Sequence, residues 1–167
     1  SVVAFTDGGG TDHVIIAYAS EEGELNGNRV FMKHTTSDLT AGGAATWTKA
    51  QVSTRYDSPG DIRISHMPSG TYEDRVFISW SGWDPADFSD WEGGWSWLAY
   101  ADPPYLSWTE VEVFNTDTHQ PTVDDTYRMT MTACSGSRDA VMFLVEDNQY
   151  VNEAMTGVDT YGRVSYD

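Results

Sequence analysis

Two arginines and one tryptophan-rich stretch are the residues of this chain best equipped to hold a ligand. Arg63 in "DIRIS" and Arg128 in "TYRMT" occupy matching positions of two related segments. A guanidinium offers a planar fork of donors that matches a carboxylate or another anion. Acids also lie close in sequence, Asp61 for Arg63 and Asp124 and Asp125 for Arg128, so pairing inside the fold is the alternative. The stretch Trp80–Tyr100, "WSGWDPADFSDWEGGWSWLAY", holds five of the seven tryptophans. Trp95 and Trp97 alternate with Ser96 and read as one face of a strand. Trp83, Phe88 and Trp91 sit among Gly, Pro and Asp, a loop setting in which rings are exposed. Exposed rings beside carboxylates suit sugars: the ring stacks on the C–H face and the acids accept hydroxyl bonds. The competing reading folds this loop over its own rim or against a partner subunit.

The same loop carries Asp84, Asp87 and Asp90, one acid every three residues. Closely spaced hard oxygens suit Ca²⁺, although the spacing is not that of an EF-hand. "TDGGGTD" (Thr6–Asp12) is either a second Ca²⁺ turn or a glycine-rich hairpin. Calcium is accordingly the one candidate cofactor. The four histidines, His13, His34, His66 and His119, show no ligand spacing, which argues against zinc. Cys134 is the sole cysteine, so no internal disulfide exists. Its alternating surroundings, "RMTMTACSG", predict a buried structural thiol. No nucleophile elbow, P-loop or dinucleotide fingerprint occurs.

The elements that must position these residues are strands. "DHVIIAYAS" starts at Asp12, "DRVFISWSG" at Asp74 and "DAVMFLVED" at Asp139, 62 and 65 residues apart. Each is an acid followed by an apolar, β-branched and aromatic run, the pattern of a buried strand. An alternating segment with a glycine turn precedes each run. After the first two come a third strand, "NRVFMKHTT" and "WSWLAYAD", and a fourth, "TWTKAQVS" and "SWTEVEVFN", opened by Trp47 and Trp108. For the last unit, "QYVNEAMTG" and "YGRVSYD" are read as strands three and four. No amphipathic helix is found. The expectation is an all-β chain of four-stranded antiparallel units, about 1–57, 58–119 and 120–167, forming a single domain. A unit of four strands repeated about every 60 residues is how a β-propeller blade looks in sequence. A β-sandwich is the alternative, but it does not explain the echo.

The hairpins between strands three and four carry a family resemblance. Thr36-Ser37-Asp38, Gly43 and Thr46-Trp47 resemble the Asp-box (BNR) repeat of sialidase-like propellers, with an enlarged spacing. Asp102 and Ser107-Trp108 echo it without the glycine. The resemblance implies blades of a propeller, with the boxes on its outer rim and away from the ligand face. Sialidases of this family grip the substrate carboxylate with three arginines. The family's Phe-Arg-Ile-Pro motif is absent, and the first unit has no arginine in its innermost strand.

Three blades make half of a six-bladed ring. A second copy, a companion chain or a further segment must complete it, because rings close with about four to eight blades. Against 26 acidic residues stand 9 basic ones, a net charge of −17. Such a surface repels nucleic acid and anionic membranes and suits cations or neutral sugars. No apolar run is long enough to span a membrane. The expected function is thus a non-catalytic, extracellular or cell-surface module for carbohydrate recognition or structural assembly, with a glycan or polysaccharide as partner. Two alternatives stay open: part of a sialidase-like glycoside hydrolase, and a subunit of a secreted filament or surface layer.

Overall fold

The computed structural model describes residues 1–20, 28–38, 44–54, 59–83, 94–115, 123–135, 138–151 and 154–166. Eleven strands account for its regular structure: β1 (Val2–Thr6), β2 (Asp12–Ser20), β3 (Arg29–Thr35), β4 (Thr48–Gln51), β5 (Gly60–His66), β6 (Val76–Trp83), β7 (Gly94–Ala101), β8 (Thr109–Asn115), β9 (Val123–Cys134), β10 (Ala140–Val151) and β11 (Ala154–Tyr166). They form three antiparallel sheets. The first runs β1-β2-β3-β4, the second β5-β6-β7-β8, and the third β11-β10-β9. Among the described residues no helix is long and apolar enough to cross a membrane.

The first two units match the expected four-stranded order, and Trp47 and Trp108 directly precede β4 and β8. The third differs. β10 and β11 form one long hairpin, giving a sheet of three strands where four were expected. "QYVNEAMTG" and "YGRVSYD" were read as strands three and four, but residues 149–151 close β10 and Ala154–Tyr166 is a single strand in which Gly157 and Gly162 pair opposite Gln149 and Leu144. β-Branched and aromatic neighbours carry the strand through them.

Burial follows the pleat. In β2 His13, Ile15 and Ala17 are buried while Val14, Ile16 and Tyr18 are only half-buried, so one face of the first sheet is covered. The second sheet is covered on both faces, which explains the continuous apolar run of β6. Val76, Ile78 and Trp80 of β6 and Trp97 and Ala99 of β7 face the first sheet, against Ile15, Ala17, Val30 and Met32. Phe77, one residue out of phase, faces the third sheet with Met67, Met131 and Phe143. The molecule is therefore a stack with two cores, one on each side of the middle sheet.

Carboxylates tie consecutive units together. Gly8, in the β1–β2 turn, donates its N–H to Asp74 at 3.3 Å. Tyr72, in the β5–β6 turn, donates its N–H to Asp139 at 3.2 Å. The acids that open the second and third echoed runs thus accept from the turn of the unit before them. At the other end of the units, Thr54 donates both its N–H and its hydroxyl to Glu110 of β8.

Candidate functional site

Arg63 lies on β5 opposite Ser79. Its Nη2 donates to Asp61 at 3.0 Å and its Nη1 to the Ile62 carbonyl at 3.3 Å. The guanidinium is half-exposed and already paired. Arg128 sits on β9 opposite Glu146, and Trp83 closes β6 opposite Gly94. The side chains of Arg128 and Trp83 lie outside the described residues. So do Asp84, Asp87, Phe88, Asp90 and Trp91 entirely. In Thr6–Asp12 both acids are engaged within the hairpin: Asp7 accepts from the Thr11 N–H and Asp12 from the Thr6 hydroxyl, each at 2.7 Å. Among the described residues no three His, Cys, Asp or Glu side chains converge to hold a metal ion.

A groove of about 740 Å³ opens between the second and third sheets. Its floor is apolar and includes Phe77 and Phe143; Tyr72, Arg75, Tyr100, Glu112 and Asp139 supply its polar groups. Arg75 is the fixed point. Its guanidinium carbon lies 4.2 Å from the Tyr72 ring centre and 4.7 Å from that of Tyr100. Its Nε and Nη2 donate to the two Asp102 oxygens at 2.8 and 2.9 Å. A bidentate fork between two rings is the strongest form of such a contact. Hydrogen bonding to Arg75 holds the Asp102 carboxyl below its ordinary range. The fork leaves Nη1 outside the ion pair. Asp139, buried at the groove wall, is held by the Tyr72 N–H. The groove thus combines half-buried aromatic surface, a rigid donor and a fixed acceptor.

The alternation along β6 and β7 could have revealed this site. Phe77 and Tyr100 are paired and out of phase with Trp80 and Trp97, so they point away from the first core. Attention to tryptophan drew the sequence reading to the opposite face and to the loop beyond it.

A second polar assembly joins the first two sheets. His34 of β3, His13 of β2, Phe5 of β1 and His66 of β5 form a continuous stack. Successive ring centres lie 5.1, 5.1 and 4.2 Å apart, with planes within 13° of parallel. Tyr105 is fully buried and meets both His13 and His34 edge-on. His13 Nε2 lies 3.0 Å from Asp7 and its Nδ1 2.9 Å from His34 Nε2. Donors and acceptors must alternate along this Asp–His–His line. Burial, followed by the charge of His13, pulls the His34 pKa down. The hydrogen bond from His13 lowers that of Asp7. Linear spacing gave no sign of this cluster, because strand pairing, not local sequence, brings the rings together.

Cys134 is exposed, not buried. Met131 and Ala133 turn toward the second sheet, which leaves Thr130, Thr132 and Cys134 on the opposite face of β9.

Comparison with family models, curated proteins and solved structures finds no match to this chain.

Proposed function

We propose that the chain is a non-catalytic carbohydrate-recognition module of an extracellular or surface protein, built on the plan of a sialidase-like propeller, with the sugar held between its second and third sheets. The observation that carries this reading is the groove around Arg75, where a guanidinium is fixed between Tyr72 and Tyr100. Pockets of about 300–1,000 Å³ with apolar walls and a few fixed polar groups take small ligands. Aromatic carbon lies against sugar C–H faces, while Nη1 of Arg75 and the acids at the rim bond to hydroxyls. A net charge of −17 favours neutral glycans over polyanions.

A glycan array followed by calorimetry on the full chain tests the proposal. Tyr100→Ala is expected to weaken a neutral glycan at least about tenfold, the loss of one stacked ring. An array without a hit, or affinity unchanged in Tyr100→Ala, overturns it. Turnover of a fluorogenic sialoside favours the hydrolase alternative.

A further inference from the structure

Given the groove around Arg75 as a sugar site, the reading on which this rests, we propose that its sugar carries a free amine. The ligand class is a polysaccharide whose units bear primary amines, as glucosamine does, with one ammonium received by Asp139.

Asp139 is the group that calls for such a ligand. It is only 8 % exposed, and it lines the groove. A carboxylate has room for about four hydrogen bonds. Within the described residues this one accepts a single bond, from the Tyr72 N–H. No cation among the described residues pairs with it. Arg75, the cation of the groove, is turned to Asp102 instead and holds both oxygens of that carboxylate. A buried carboxylate with so few donors is costly to keep from water. A cation rich in donors offsets that cost on entering the groove.

The rest of the lining has the same sign. Arg75 and Asp102 neutralise each other, which leaves Asp139 and the exposed Glu112 to set the charge of the site. The net charge of −17 draws cations toward it and turns polyanions away. A calcium ion takes about six to eight oxygens. Among the described residues no three metal-binding side chains converge, so the donor set suits an organic cation. An ammonium only donates, as Asp139 requires. The sugar that bears it can lay its C–H face on Tyr72 or Tyr100, the rings that flank Arg75. A neutral hydroxyl can also donate to Asp139, but it leaves the buried charge uncompensated.

Calorimetry on the full chain with three oligomers of equal length tests this: glucosamine, N-acetylglucosamine and glucose. The glucosamine oligomer is expected to bind at least about tenfold tighter than either neutral one, the worth of a hydrogen bond between charged groups. Asp139→Asn keeps an acceptor for the Tyr72 N–H and removes the charge. It should lose the preference and still bind the neutral oligomers, with near-ultraviolet circular dichroism as the check that it folds. Glu112→Gln, at an exposed position, should reduce the preference by a smaller factor. Equal binding of the three oligomers, or a full preference kept by either variant, overturns the proposal and leaves the sugar site standing. A lysine peptide bound as tightly as the glucosamine oligomer overturns it in favour of a basic protein segment. Binding of none of the three oligomers removes the sugar site itself.

Discussion

Gly70 shows how tightly single residues are constrained where two units meet. Its φ is +98°, and a Cβ there would fall inside the Asp139 carboxylate. That carboxylate cannot withdraw freely, because it accepts the Tyr72 N–H. Gly70→Ala is therefore expected to destabilise the fold by about 1–3 kcal/mol, through backbone strain and displacement of Asp139 together. Urea unfolding measures this. Gly70→Ala with Asp139→Ala should recover part of the loss by relieving the clash; a single variant as stable as wild type contradicts the geometry. Arg63 gives the complementary lesson. Its place on the first strand of the second unit was legible in the sequence. Its pairing with Asp61 depends on Asp61 adopting a φ of 44°, which residue type alone does not announce.

Among the elements, the stack of His34, His13, Phe5 and His66 couples three strands of the first sheet to the first strand of the second. Its energetics depend on pH with a definite sign. His34 and His66 both have pKa values lowered from 6.5, in each case chiefly by burial; for His66 the charge of Asp74 opposes this. The unfolded chain then binds more protons than the folded one below about pH 6.5. Stability is full above that value and falls as pH drops through the folded values. Asp7 and Asp102, lowered by hydrogen bonds from His13 and Arg75, extend the loss below pH 3.8. Denaturant midpoints between pH 7 and 5 should decline, and a His34→Leu variant should show a shallower slope. A wild-type profile flat over that range contradicts the assignment. The first eight strands were legible from alternation and turn residues because each sheet is built from neighbours in sequence. β11 was misread because its length is set by pairing with β10, which joins Val151 to Ala154 and runs to Tyr166, and the local pattern of "QYVNEAMTG" and "YGRVSYD" does not reveal that register. The histidine stack was invisible because its members are distant in sequence and share only a register.

Across the whole molecule, the two cores differ in chemistry. The core between the first and second sheets contains Trp80 and Trp97, with Trp108 packed against it. The core between the second and third is lined by Met67, Phe77, Met131 and Phe143, with Tyr72 and Tyr100 beside them. The echo of 62 and 65 residues announced the units but not this division, which comes from a one-residue phase difference on β6. That difference gives the protein two optical channels. Trp80 and Trp97, with Tyr105, report on one core, and Tyr72 and Tyr100 on the other. If the stack melts as one cooperative body, heating curves from the two channels should coincide. If the third sheet peels away first, the tyrosine signal changes while the indoles remain dark to water, and intrinsic fluorescence alone would record the protein as folded.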